Sequence, residues 1–142
     1  MGNRERFTPV PQICKVLIVE DNPDIRELLG DIFGYEGYRF VMACDATEMR
    51  RALAEECDID IVVIDVTLPG TANGFVLAIE AKNCGCGVIL VTGNHRHYEE
   101  VEKSGHHYIF KPFRMTSLIT LVDHVLAETK RHCERRAVGS LT

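Results

Sequence analysis

Five short apolar runs alternate along this chain with segments in which apolar residues recur at helical spacing. The runs cover residues 16–19, 61–64, 88–91 and 108–110, with a weaker one at 38–42 that is typical of an edge strand. Strands that alternate with helices favour β/α units, which fold into a parallel sheet covered on both faces. We therefore predict an α/β fold, a doubly wound five-stranded parallel sheet with helices on both faces.

Length and composition fit one domain. The 142 residues are 46% hydrophobic and 26% charged, with a formal net charge of −5, which disfavours nucleic acid as a direct partner. No apolar stretch approaches the roughly 18 residues of a membrane span, and the polar N-terminus lacks a signal-peptide core. We expect a cytoplasmic protein without membrane contact, with a flexible segment 1–12, a domain 13–136 and a frayed tail 137–142. Too few residues follow the last predicted core position for an appended domain, so we expect a stand-alone domain.

The predicted helical segments differ in how many apolar residues they can bury. The first is predicted to begin at Asn22 as N-cap and to bury a face that includes Leu28 and Leu29. The fourth, near residues 96–104, offers only Tyr98 and Val101 for burial, so we expect it to be mobile. The six cysteines lack metal-finger spacing and are expected to be reduced thiols.

Polar side chains follow four of the apolar runs. Glu20 and Asp21 end the first, Asp65 ends the third, and Thr92 and Lys111 follow the last two. Ligands of open α/β sheets bind at the carboxyl edge of the strands. Each residue alone is explained by a solvated loop or a turn cap, but five of them at one edge indicate a functional site.

The three acids require a counter-charge, because carboxylates about 4 Å apart repel by roughly 4 kcal/mol at an effective dielectric near 20. Oxygen ligands favour Mg²⁺. The predicted ligands are Asp65, Asp21 directly or through water, Glu20 through water, and the backbone carbonyl of Thr67. Asp65 is then a candidate nucleophile toward a phosphoryl group, with Lys111 and Thr92 as partners for its oxygens.

These residues resemble the receiver domain of two-component response regulators. The matching signature is Glu20-Asp21, Asp65 with Leu68-Pro69-Gly70, Thr92, and Lys111-Pro112-Phe113, and it covers residues 15–126. The resemblance implies a flavodoxin-like sheet of order 2-1-3-4-5. It also implies that Asp65 receives a phosphoryl group from a sensor histidine kinase or a histidine phosphotransfer protein.

The resemblance further implies a switch. Thr92 moves toward the phosphoryl group, Tyr108 turns inward, and the face formed by helix four, strand five and helix five changes its preference for a downstream protein target. A homodimer through this face and a phosphate-sink role are both compatible with the family pattern, and the Lys111-Pro112 peptide bond is expected to be cis. The plainer interpretation of Tyr108 is an ordinary strand aromatic.

Two positions depart from the family pattern. Gly74 lies nine residues after Asp65 instead of eight, so one residue is inserted in the loop at 70–73. Thr92 is followed by Gly93-Asn94, where alanine commonly comes next. Thr67 and Asn94 flank the site, and we expect changes at either to alter the lifetime of the phosphoryl group without abolishing phosphorylation.

Two other functions remain open. A haloacid-dehalogenase-type phosphatase also uses a strand-end Asp, Mg²⁺ and Lys, but it needs a second Asp where this chain has Thr67. A pseudo-receiver would bind a partner without phosphorylation, which the intact Asp65, Thr92 and Lys111 disfavour. We therefore expect self-catalysed phosphoryl transfer and autodephosphorylation, not an enzyme with a separate substrate. The histidine-rich stretches 95–97 and 106–107 show no spacing that supports a complete metal site.

Overall fold

The protein forms one parallel sheet flanked by helices in a computed structural model that describes residues 14–68 and 73–141, with side chains to residue 129. The predicted flexible segment 1–12 lies outside the described residues. The five strands are ordered β2-β1-β3-β4-β5. Their bounds are β1 Lys15–Val19, β2 Arg39–Ala43, β3 Ile61–Asp65, β4 Gly87–Thr92 and β5 His107–Phe110. The helices are α1 Pro23–Tyr35, α2 Ala46–Glu55, α3 Gly74–Asn83, α4 Tyr98–Ser104 and α5 Met115–Leu141.

The sheet separates two apolar layers, as expected for a doubly wound fold. One layer includes Leu17, Ile64 and Leu90 and packs against α2 and α3. The other includes Ile18, Val63 and Ile89 and packs against α1 and α5. The three central strands are almost entirely buried, whereas edge strand β2 is partly exposed, so the predicted strand order and the edge position of β2 are confirmed.

Local capping explains where the first two helices begin. The Asn22 side chain accepts hydrogen bonds from the N–H groups of Asp24 and Ile25, and Pro23 opens α1. At α2, the Asp45 carboxylate accepts the N–H of Glu48, while Glu48 accepts the N–H of Cys44. The predicted start of the first helix at Asn22 is confirmed.

Several predictions need correction. Leu28 is 56% exposed because α1 turns Leu29, Ile32 and Phe33 toward the sheet and leaves Leu28 at the margin of that stripe. Tyr98 is 45% exposed, because its ring lies over Phe110 at the surface instead of entering the core. The fourth helical segment begins with a 3₁₀ turn, His95–His97.

The last helix begins at Met115 and continues to Leu141, so the expected boundary at residue 136 falls inside it. Within the described residues, no helix is long and apolar enough to cross a membrane. Cys14, Cys44, Cys57, Cys84 and Cys86 form no disulfide within the described residues, and the side chain of Cys133 lies outside the described part.

Candidate functional site

The carboxyl edge of the sheet gathers the polar residues that follow the strands. The register pairs Asp65 with Val91 and Thr92 with Phe110, so the ends of β3, β4 and β5 lie side by side. Glu20 follows β1 and is 2% exposed, Asp65 is 7% exposed, and Thr92 is fully buried. Buried carboxylates are costly unless they are paired, so their partners determine what this edge does.

Lys111 pairs with both buried acids. Its ammonium donates to Oε1 of Glu20 at 3.0 Å and to Oδ2 of Asp65 at 3.4 Å. Its backbone N–H donates to the carbonyl of Thr92 at 2.8 Å, which anchors the lysine at the end of β5. Burial alone would lower the pKa of Lys111, but the hydrogen bonds and charges of the two acids raise it. The lysine therefore stays an ammonium between two carboxylates.

The second oxygen of each buried acid is held by a backbone donor. Oδ1 of Asp65 accepts the N–H of Thr67 at 2.8 Å, and Oε2 of Glu20 accepts the N–H of Asn22 at 3.1 Å. Burial, followed by the neighbouring Asp65, raises the pKa of Glu20 to about 7, although Lys111 opposes this rise. The pocket therefore holds more negative charge than Lys111 alone neutralises.

The donor set fits a hard divalent cation. One carboxylate oxygen from each of Glu20, Asp21 and Asp65 lies within 4.8 Å of the others, and Asp21 is exposed to solvent. Oxygen-only ligands with an open, solvated side are the arrangement that Mg²⁺ accepts, because it keeps several water ligands. The structure thus brings the three predicted acids together, and the carbonyl of Thr67 as a further ligand stays a prediction.

Thr92 and Tyr108, the residues predicted to form a switch, lie at the end of β4 and within β5. The Thr92 hydroxyl accepts the N–H of Asn94 at 3.1 Å and donates to the Asn94 carbonyl at 3.5 Å. Tyr108 is half-buried in β5, with its ring 5.6 Å from that of Phe110. Their part in a switch stays a prediction. The Lys111-Pro112 peptide bond is cis, as expected.

Gly74 sets the distance between α3 and the site. A Cβ atom on this residue would lie 2.6 Å from the carbonyl oxygen of Asp65 and 2.6 Å from Cα of Val66. Only glycine allows so close an approach of helix and strand. The inserted residue precedes this contact, and positions 69–72 lie outside the described part of the chain.

Sequence reasoning missed two neighbours of the site. Arg26 donates to the backbone carbonyls of Glu20 at 2.8 Å and Asp21 at 3.3 Å, which holds the acidic loop against α1. His97 places Nε2 3.5 Å from the Thr67 hydroxyl. Arg26, a basic residue one turn into the helix that follows the acids, could have been recognised from the sequence. The contact of His97 could not, because it depends on the 3₁₀ turn at His95–His97.

Comparisons with known proteins agree with this geometry. Residues 16–123 match the family model of the response regulator receiver domain. The aerobic respiration control protein ArcA of Escherichia coli K12 is 35% identical over 137 residues, which cover 91% of this chain and 57% of ArcA. The transcriptional regulatory protein AruR of Pseudomonas aeruginosa is 30% identical over 133 residues, or 88% of this chain and 54% of AruR. The chain thus spans a little over half the length of these curated relatives.

Solved structures give the same result. A CheY-like receiver domain protein from Methanospirillum hungatei superposes with a TM-score of 0.74 at 25% identity, over 85% of this chain and 99% of that one. The response regulator TrrA of Thermotoga maritima, solved in complex with Mg²⁺-BeF, gives a TM-score of 0.70 at 27% identity, over 79% of this chain and 98% of that one. The family match, the strand order and the relatives agree: this chain belongs to the response regulator receiver domain family of two-component signalling.

Proposed function

We propose that the chain is a phosphoacceptor receiver in which Asp65 takes up a phosphoryl group in a Mg²⁺-dependent reaction. The observation that carries this proposal is the position of Lys111, whose ammonium lies 3.4 Å from the Asp65 carboxylate and 3.0 Å from Glu20. A buried acid that is paired with a cation at a strand end can face a negatively charged phosphoryl group without unbalanced repulsion. We infer that the donor is a sensor histidine kinase or a histidine phosphotransfer protein.

The transfer is a substitution at phosphorus. An Asp65 oxygen forms a bond to phosphorus while the bond to the donor's imidazole nitrogen breaks, and the imidazole nitrogen keeps the electron pair and takes a proton from water. Lys111 neutralises charge on the transferred oxygens, and the Thr67 N–H holds the other Asp65 oxygen at 2.8 Å. Bound at Glu20, Asp21 and Asp65, Mg²⁺ would supply further positive charge to the same oxygens.

The output of this reaction is a change in the face formed by α4, β5 and α5. In the unphosphorylated form the Thr92 hydroxyl bonds to Asn94, so a phosphoryl group would compete for it. A shift of Thr92 opens space toward which Tyr108 can turn. This face would then bind a downstream target or a second copy of the chain, unless the domain acts only as a phosphate sink.

The proposal includes no separate substrate. Thr67 stands where a haloacid-dehalogenase-type phosphatase needs its second aspartate, so the reaction ends with hydrolysis of the chain's own acyl phosphate. A cytoplasmic location is part of the proposal, because free thiols such as Cys57 and Cys84 suit a reducing compartment.

Intact mass after incubation with acetyl phosphate tests the proposal. We expect a gain of one phosphoryl group that requires Mg²⁺ and is absent in Asp65→Asn. Asp31→Asn, which changes an exposed acid of α1, is the matched control and should be phosphorylated normally. If neither acetyl phosphate nor a panel of histidine phosphotransfer proteins phosphorylates the wild type, the pseudo-receiver is correct. Turnover of generic phosphomonoesters would instead favour the phosphatase.

A further inference from the structure

A second group of ligand-type side chains lies where β5 meets α5, away from the acidic pocket. His107, His124 and Glu128 each place one nitrogen or oxygen atom within 4.8 Å of the others. Nε2 of His107 is 2.8 Å from one Glu128 oxygen, and Nε2 of His124 is 3.3 Å from the other. None of these residues takes part in the phosphoryl chemistry described above.

Rigid elements hold the three residues. His124 and Glu128 are four residues apart on α5 and therefore project from the same face of the helix. Buried Val122 and Val125 pack this part of α5 against the sheet. His107 opens β5, and its ring lies 5.4 Å from that of His124 in an edge-on arrangement. The three groups converge because the fold brings strand and helix together.

We propose that His107, His124 and Glu128 form a binding site for a divalent transition-metal ion of the Zn²⁺ type. Two imidazoles and one carboxylate are a ligand set that zinc accepts, with a fourth position left for water. Ligands that each lie about 2.0–2.1 Å from a tetrahedral ion are about 3.4 Å apart. The separations of 2.8 and 3.3 Å to the two Glu128 oxygens, and the 4.8 Å within which one ligand atom of each residue lies, are close enough for side-chain rotation to reach this geometry.

Binding exchanges hydrogen bonds for metal bonds. In the metal-free protein Nε2 of His107 lies within hydrogen-bonding distance of Oε1 of Glu128, and Nε2 of His124 lies 3.3 Å from the other carboxylate oxygen. On binding, Nε2 presents its lone pair to the ion and the ring proton resides on Nδ1. The side chains of His107, His124 and Glu128 are 35%, 59% and 49% exposed, so an ion reaches them without opening the core.

The two other clusters of ligand-type side chains in the described part of the chain have other roles. Cys44, Asp45 and Glu48 also lie close together, but Asp45 and Glu48 already form the capping box of α2. The acidic pocket offers only oxygen ligands, which suit Mg²⁺. The sequence showed His107 without a complete ligand spacing, because the missing partners come from α5.

The site joins two elements of the proposed output face. β5 begins at His107 and is followed directly by Lys111, while α5 carries the other two ligands. A bound ion would tie the start of β5 to α5.

Calorimetric titration of the full chain with Zn²⁺ tests the site, with excess Mg²⁺ present to occupy the acidic pocket. We expect one Zn²⁺ per chain for the wild type, with binding strongly weakened in His107→Gln, His124→Gln and Glu128→Gln. His95→Gln and Cys44→Ser are the matched controls, because they change a histidine and a cysteine outside the cluster. Both should bind Zn²⁺ like the wild type. Circular dichroism verifies that each variant is folded.

Co²⁺ identifies the ligands independently. We expect visible d–d bands without a sulfur-to-cobalt charge-transfer band, because the proposed ligands are nitrogen and oxygen atoms. The proposal is overturned if the wild type binds no Zn²⁺, if folded His107→Gln and His124→Gln bind it unchanged, if Cys44→Ser abolishes binding, or if Co²⁺ shows the thiolate band.

Discussion

At the scale of single residues, replacing Lys111 should slow phosphoryl transfer strongly while leaving the acceptor Asp65 in place. Its ammonium contacts the carboxylates of both Glu20 and Asp65. We expect Lys111→Gln to slow phosphorylation by acetyl phosphate about 100-fold, the effect that loss of one preorganised electrostatic donor has in enzyme active sites. The initial rate of phosphoprotein formation by mass spectrometry measures this. Lys103→Gln, at an exposed lysine of α4, should react at the wild-type rate, and an equally fast Lys111→Gln would contradict the role.

Glu20 links the stability of the metal-free protein to pH. Burial raises its pKa from 4.5 to about 7, so between these values the folded chain retains a proton that the unfolded chain releases. This contribution to stability is complete below about pH 4.5 and is lost as the pH rises toward 7. We expect the unfolding temperature without Mg²⁺ to fall across this window, and to fall less in Glu20→Gln.

Added Mg²⁺ should raise the unfolding temperature more near the upper end of this window, because the ion competes with the proton for the carboxylates. A stabilisation by Mg²⁺ that is equal at both ends would show that Glu20 is not part of the ion site.

At the scale of elements, the contact of α3 with β3 is the most restrictive in the site. A Cβ at Gly74 would meet backbone atoms at 2.6 Å, so Gly74→Ala must move the helix. We expect a loss of about 1–3 kcal/mol in the free energy of unfolding, the range for overpacked sites. Gly34→Ala in α1 is the control, because its Cβ would meet only a Phe40 ring atom at 3.5 Å and alanine favours a helix. Urea unfolding of both variants compares them, and equal stabilities would contradict the close approach.

The α4 helix is short and makes few buried contacts. It has seven residues, its N-terminus has no side-chain cap, and only Val101 is buried. We expect its amides to exchange with solvent faster than those of β4, which is buried throughout. Hydrogen exchange with mass spectrometry measures the difference, and equal protection would argue against α4 as the mobile part of a switch.

Most of these elements were predictable from local pattern. Asn22 and Asp45 are residue types favoured at the N-cap of a helix, and the apolar runs indicate buried strands directly. Leu28 shows the limit of such patterns, because periodicity defines a stripe but not which edge of it reaches the sheet. The 3₁₀ turn at His95–His97 had no signal in composition.

At the scale of the whole molecule, the site depends on contacts between residues that are distant in sequence. Strand-end positions predicted that Glu20, Asp65, Thr92 and Lys111 would lie at one edge, while the strand order came from the resemblance to receivers. The pairing of Lys111 with Glu20, 91 residues away, and the meeting of His107 with α5 follow from the register and from helix placement. These two features could not be read from local sequence.

The most direct test of the central claim locates the phosphoryl group. The protein is phosphorylated with acetyl phosphate and Mg²⁺ and then treated with borohydride, which reduces an aspartyl phosphate to homoserine. Peptide mass spectrometry identifies the reduced residue. We expect homoserine at position 65 and unmodified aspartate at position 21. Homoserine at any other position, or none in protein whose intact mass shows the added phosphoryl group, would contradict the assignment of Asp65 as the phosphoacceptor.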